Sequence, residues 1–285
     1  MNPHTLLRAA RPLIDLATNE DLARGDASSD SLFPEGHHSR ARIVAREPLV
    51  VAGLPLVDAV FQSVDPTLPG GARCLDGASL AKGALLWESV GSTRALLQGE
   101  RTALNFIQFL SGIATATAHL VAAARRGAPP VRVCDTRKTL PGYRVLSKYA
   151  VRCGGGSNHR FDLSDGIMIK DNHIAAAGSI RAAVQTLRAA NPHTLRVEVE
   201  ADSLEQAREA AKAGADVILL DNMDTATLRR AVAELGDRVL LEASGGITLE
   251  SISEVAATGV DIISVGAITH SAPAVDLSLE LDPLE

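Results

Sequence analysis

Six short aliphatic runs in the second half of the chain end in polar or charged residues, and these ends hold the side chains best suited to chemistry. They read Asp135-Thr136-Arg137-Lys138, Lys170-Asp171-Asn172-His173, Glu198-Val199-Glu200, Asp221-Asn222, Glu242-Ala243-Ser244-Gly245-Gly246 and Gly266-Ala267-Ile268-Thr269-His270. His159 and Arg160 follow a glycine turn, Gly154-Gly155-Gly156. If these ends converge, Arg137, Lys138, His159, Arg160 and Lys170 form a cationic mouth. Arginine suits planar carboxylate or phosphate groups because its fork binds them bidentately. Glu200 and Asp221 oppose the cations. A mouth with both signs fits a substrate bearing several anionic groups, plus a divalent metal or a cationic transition state near the carboxylates. Ser244-Gly245-Gly246 ahead of Thr248 offers backbone N–H groups to a phosphate.

Each residue also has a plainer reading. Lys170 could pair with Asp171, and His159 could be a satisfied loop histidine. The glycine run could be a flexible turn. Glu198 and Glu200 share one strand face by alternation, so one could serve a neighbouring Arg. His173 and His270 carry weaker signals. Cys134, inside an apolar run, reads as core rather than nucleophile.

The elements that must position these residues are regular from residue 131 onward. The runs Val131–Val133, Gly166–Ile169, Leu195–Val199, Val217–Leu220, Val239–Leu241 and Ile262–Val265 predict strands. They alternate with predicted helices over Ile180–Ala190, Leu204–Ala213, Thr225–Leu235 and Leu249–Ala257. Ser203 and Thr248 are predicted N-caps, and Gly214 and Gly259 sit where helices should stop. Repeated βα units with chemistry at the strand ends favour an α/β barrel over an open doubly wound sheet. The last two tails carry glycine, where barrels commonly build a phosphate site. Before residue 110 the pattern is mixed α/β. Helices are predicted over 5–18, 54–62 and 93–98, a strand over Ala41–Val51, and shorter strands near 75–77 and 84–89.

Composition narrows the function. The chain has 285 residues, 46% of them hydrophobic, which excludes disorder and coiled-coil architectures. Aromatics are 3%, too few for a base-stacking nucleic-acid binder, and the net charge of −6 points the same way. Yet residues 101–170 carry 11 Lys/Arg against 3 Asp/Glu, so positive charge is concentrated where the cationic tails begin. The three cysteines show no metal spacing and predict free thiols. No GxGxxG or GxxxxGK[ST] motif occurs. The N-terminus lacks the apolar core of a signal peptide, so the chain is read as cytoplasmic. Residues 102–124 carry no Lys, Arg, Asp or Glu and are long enough to span a bilayer. Asn105, Gln108, Ser111, Thr115, Thr117 and His119 favour a buried or interfacial helix over a membrane one.

These residues lie in strings that closely resemble the quinolinate phosphoribosyltransferase family. The strings are ERTALNFIQFLSGIATAT (100–117), DTRKTLPGYRVLSKYAV (135–151), GGGSNHR (154–160), IKDNHI (169–174), EVE (198–200), LLDN (219–222), EASGGI (242–247) and SVGAITHSAP (264–273). The likeness extends to GD at 25–26 and to the 45–53 region. It implies an N-terminal open-faced α/β sandwich over 1–112, joined by the C-terminal tail 272–285, and a C-terminal incomplete, seven-stranded α/β barrel over 113–271. It implies a homodimer or hexamer in which Arg101 is donated across the interface. Arg137, Lys138, His159, Arg160 and Lys170 would line the pocket, with Lys138 and Lys170 among the catalytic groups. Glu200 and Asp221 would face the ribose and Mg²⁺, directly or through water. Ser244, Gly245 and Gly266 match the phosphate-binding loops, with His270 nearby. Leu140, Tyr143, Phe161 and Gly166 depart from the family's pattern without removing a charged group.

The implied reaction joins quinolinate to phosphoribosyl pyrophosphate, giving nicotinate mononucleotide, pyrophosphate and CO₂. It needs substrate-associated Mg²⁺, no organic cofactor, no nucleic acid and no membrane. A paralogous group linked to molybdenum uptake shares the fold; the complete IKDN string at 169–172 favours the pyridine-nucleotide enzyme. A Schiff-base aldolase using Lys170 or Lys138, or a non-catalytic anion binder, are the readings from other classes.

Overall fold

The computed structural model describes residues 3–126 and 130–284. They form two compact units: Met1–Ala118 with Thr139–Gly155 and Thr269–Glu285, and His119–Lys138 with Gly156–Ile268.

The chain opens with α1 (Pro3–Leu22) and a single turn, α2 (Ser29–Leu32). Leu6, Ala10 and Ile14 recur every fourth residue along α1 and are buried. The predicted strand over 41–51 is in fact two: β1 (His38–Ala45) and β2 (Leu49–Val50). Pro48 explains the break, since it lacks an N–H and restricts the residue before it. In α3 (Leu54–Val64) the N-terminal N–H groups of Gly53 and Leu54 donate to Asp76 at 2.9 and 3.1 Å. Next come β3 (Ser79–Leu80), which pairs with β2, and β4 (Leu85–Ser92), which pairs antiparallel with β1. The sole tryptophan, Trp87, stacks on Phe61 and donates its indole N–H to Asp58 at 2.7 Å.

The short helix predicted at 93–98 and the uncharged stretch at 102–124 are one helix, α4 (Thr93–Ala124). Leu96, Phe106, Ile107, Leu110 and Ile113 are buried along it. Its missing charges reflect a face packed inside the protein: α4 has the length and composition to cross a membrane, but most of its apolar stretch is buried.

The first strand of the second unit is β5 (Arg132–Cys134). The chain then forms α5 (Arg144–Cys153), which packs against α1 in the first unit. Six elements follow in strict alternation after β6 (Ile167–Ile169) and α6 (Asp171–Ala177): α7 (Ile180–Ala190), β7 (Val197–Ala201), α8 (Leu204–Ala213), β8 (Val217–Asp221), α9 (Thr225–Leu235) and β9 (Leu240–Ser244). Ser179, Ser203 and Asp224 cap α7, α8 and α9 through side-chain oxygens, and Gly214 ends α8 in the left-handed conformation. The last units are α10 (Ile252–Ala256) and β10 (Ile262–Ser264). Helix α10 is shorter than predicted, and Thr248 is not its cap. Gly245 and Gly246 both have positive φ, and the Ser251 hydroxyl accepts the Thr248 N–H at 3.0 Å, so a loop occupies the expected first turn.

The parallel strands lie in the order β5-β10-β9-β8-β7-β6. Every neighbour is sequential except β5, the first strand, which pairs with β10, the last. An open doubly wound sheet would reverse its order at a switch point; pairing of first with last is barrel closure. Among the described residues the seventh place is held by one rung. Ser157 bridges Cys134, donating its N–H to Val133 and accepting from Asp135. The gap between Ser157 and β6 leaves the barrel incomplete.

A short helix, α11 (Ala267–His270), leads to β11 (Leu277–Pro283), which pairs antiparallel with β1 on the edge opposite β4.

Candidate active site

A cavity of about 420 Å³ opens at the carboxyl ends of the barrel strands. Thr136, Arg137 and Lys138 reach it from the loop after β5, and His159 and Arg160 from the segment after Ser157. Lys170 follows β6, Glu200 is on β7, Asp221 ends β8, and Ser244 ends β9. Eight of the residues singled out from the sequence therefore line one space. Arg101, Gly245, Gly266 and His270 do not line it. Arg101 is exposed on α4 and His270 is exposed at the end of α11, both in the first unit. Gly245 sits behind Ser244 with φ +96°, where a Cβ would fall 2.2 Å from the Asn222 side-chain oxygen. Gly245→Ala is therefore expected to destabilise the fold by about 1–3 kcal/mol, read as a lowered midpoint in urea.

Lys170 pairs with Glu200 and not with Asp171: its Nζ lies 2.7 Å from Glu200 Oε2. Arg160 donates through Nη1 to the Gly166 carbonyl at 2.9 Å. Burial, and then repulsion from Arg137, hold its guanidinium below the usual arginine range. Arg137 has a buried Nε with no hydrogen-bond partner. Two crowded guanidiniums of this kind favour an incoming anion.

The segment carrying His159 and Arg160 is pinned by Asp135, which is fully buried after β5. Its carboxylate accepts the His159 N–H at 2.9 Å and the Asn158 side-chain amide at 2.6 Å. The His159 ring is fixed at both nitrogens. Nδ1 accepts the Arg160 N–H at 2.8 Å. Nε2 lies 3.2 Å from Glu198 Oε2 and 3.6 Å from Glu242 Oε1. Burial, and then the neighbouring charge of Glu198, push the Glu242 carboxyl up to about 7. Glu198 thus pairs with a histidine, and its charge also acts on Arg160.

Sequence reasoning assigned no role to Asp135 or Glu242. The signal was present: Glu242 lies two residues before Ser244 on the same strand face, an acid set between the aliphatic Leu241 and Ala243.

Family models match nearly the whole chain. Residues 26–111 match the N-terminal domain of quinolinate phosphoribosyl transferase, and residues 113–280 match its C-terminal domain. The chain is 47% identical over 262 residues to a probable nicotinate-nucleotide pyrophosphorylase [carboxylating] of Bacillus subtilis, covering 92% of this chain and 90% of that one. It is 45% identical over 285 residues to the nicotinate-nucleotide pyrophosphorylase [carboxylating] of Mycobacterium leprae, covering 96% and 97%. The crystal structure of NadC from Streptococcus pyogenes superposes with a TM-score of 0.93 at 41% identity, covering 100% of this chain and 99% of that one. A barrel with clustered cationic side chains at its strand ends defines the class, and the two matched domains define the group within it. The chain belongs to the quinolinate phosphoribosyltransferase family.

Proposed function

We propose that this chain transfers the phosphoribosyl group of phosphoribosyl pyrophosphate to quinolinate, with decarboxylation, giving nicotinate mononucleotide, pyrophosphate and CO₂. The observation that carries the reading is the convergence of Arg137, Lys138, Arg160 and Lys170 on one cavity, with Glu200 and Asp221 in the same wall. Quinolinate bears carboxylates on adjacent ring carbons, and phosphoribosyl pyrophosphate is itself a polyanion. Bringing them together costs repulsion that the cations neutralise, more strongly once water is excluded. Arg137 and Arg160 hold the dicarboxylate, and Lys138 and Lys170 flank the reacting centre. Loss of pyrophosphate leaves positive charge at the ribose C1, and Glu200 and Asp221 stabilise it. The ring nitrogen attacks C1, and the resulting pyridinium draws in the electron pair released as the C2 carboxylate leaves.

Glu200 and Asp221 are hard oxygen donors at adjacent strand ends, a set that fits Mg²⁺ held jointly with substrate phosphates. Bound there, the ion would neutralise charge on the leaving pyrophosphate. The chemistry calls for no organic cofactor. The exposure of Arg101 on α4 is consistent with its donation to a second copy in a homodimer or hexamer. Ser244, Gly245, Gly266 and His270 are assigned to the phosphates.

The test is incubation with quinolinate, phosphoribosyl pyrophosphate and Mg²⁺, following CO₂ and the mononucleotide. Both should form in equal amounts. Nicotinate in place of quinolinate should lower kcat/KM by about 10²-fold or more, because one charge-assisted carboxylate contact is lost. Equal use of both acids would overturn the assignment.

A further inference from the structure

A second cavity, of about 320 Å³, lies among the amino ends of the same strands, beside Arg132, Ile167, Val217, Leu240 and Ile262. Among the described residues, only His159, Arg160 and Glu242 line both this cavity and the reaction cavity. Glu242 is 2% exposed, and its Oε1 has no hydrogen-bond partner. The nearby Glu198 Oε1 is likewise buried without a partner.

Ligand atoms of His159, Glu198 and Glu242 lie within 4.8 Å of one another, a spacing that could hold a metal ion. The histidine argues against it. Its Nδ1 accepts the Arg160 N–H, so the ring's single proton must sit on Nε2, and a metal there would require an imidazolate. Arg132, Arg160 and Arg196 line the same lower cavity and oppose a further cation. The cluster is built to hold a proton.

The proposed reaction requires one at a defined place. When the bond between ring C2 and the carboxylate carbon breaks, CO₂ departs and the electron pair stays on C2 beside the positive ring nitrogen. That carbon must gain a proton. An acid that titrates near the working pH is best suited to deliver it, and an ordinary exposed carboxyl has no proton left to give. The His159 Nε2–H is turned toward Glu198.

We propose, building on the function assigned above, that Glu242 is the acid that protonates C2, and that solvent in the lower cavity recharges it. The Glu242 O–H bond breaks, a C2–H bond forms, and Glu242 is left as a carboxylate. The groups facing it are Glu198 from β7, His159, Arg160, Arg132 from β5 and the Ser264 hydroxyl from β10. Glu198 and burial favour its acid form, while His159, Ser264 and Arg132 oppose it.

The test is single-turnover rapid quench on wild type, Glu242→Gln and Glu242→Asp across pH 5.5–8.5 (about one and a half units either side of 7). Pyrophosphate and nicotinate mononucleotide are measured separately. In wild type the mononucleotide rate should fall as pH rises through about 7, as the acid form is lost. Glu242→Gln should slow mononucleotide formation by about 10²-fold or more, lose that pH dependence, and release pyrophosphate ahead of it. KM for quinolinate should stay within about threefold, and Glu242→Asp should recover part of the rate and the alkaline fall. An unchanged rate in Glu242→Gln overturns the proposal. So does a slowed rate that keeps the alkaline fall, which marks a merely structural residue. If Glu242→Gln does not fold, a wild-type rate that is flat through pH 7 overturns it. Failure of wild type to use quinolinate sinks the function itself, a separate outcome.

Discussion

Arg160→Ala is expected to lower kcat/KM for quinolinate by about 10²–10³ while the melting temperature moves only a few degrees. The catalytic loss corresponds to about 3–4 kcal/mol, the scale of charge-assisted bonds to a carboxylate in a dry pocket. The small stability change follows from what Arg160 does in the folded chain. Its guanidinium makes one bond to the backbone, to the Gly166 carbonyl, worth about 1 kcal/mol. Against that stand the burial of its charge and its repulsion from Arg137, both of which disfavour the guanidinium. The side chain is thus held in a mildly unfavourable place that an anionic substrate relieves. Arg160→Lys should recover little, because an ammonium lacks the planar fork. The measurements are steady-state kinetics and thermal melting on the same preparations. A melting temperature that collapses along with activity would show that Arg160 supports the fold and not the substrate.

The barrel half was legible because it obeys local rules. Helices α7, α8 and α9 run over the residues the sequence predicts, since each has a clear cap, an apolar stripe and a polar or glycine stop. The charged strand ends were legible for the opposite reason: they break the aliphatic pattern where packing would have continued it. What escaped depends on contacts distant in sequence. Helix α5 buries Ser147 and Lys148 completely, so its inward face does not read as apolar. Arg94, Glu100 and Arg101 split the signal of α4, although all three ride on one continuous helix. Strand alternation places Glu198 with Glu200 and Glu242 with Ser244 on interior faces. It cannot say that the ring of His159, delivered from the one-rung seventh place, meets both acids.

Asp135→Ala is expected to cost about 3–5 kcal/mol of stability and nearly all turnover. Asp135 is fully buried, and its two oxygens tie the end of β5 to the Ser157–Arg160 segment. Alanine leaves the His159 N–H and the Asn158 amide as buried donors facing a void, at about 1–3 kcal/mol each. That is a large part of the roughly 5–15 kcal/mol that holds a domain together. The catalytic loss has a separate cause. The carboxylate fixes Asn158 and the His159 backbone just before Arg160, so Arg160 and the His159 ring shift together when it is lost. Asp135→Asn separates the two effects. Its oxygen can still accept the His159 N–H, and a flipped Asn158 amide can turn its own oxygen toward the new NH₂. Stability should then fall by only about 1 kcal/mol. The weakened, neutral anchor should still raise KM for quinolinate more than that for phosphoribosyl pyrophosphate, since Arg160 directly follows the His159 N–H that this anchor holds. A urea titration and paired KM measurements decide it: if Asp135→Asn raises both constants equally, Asp135 sets the whole cavity and not the dicarboxylate end alone.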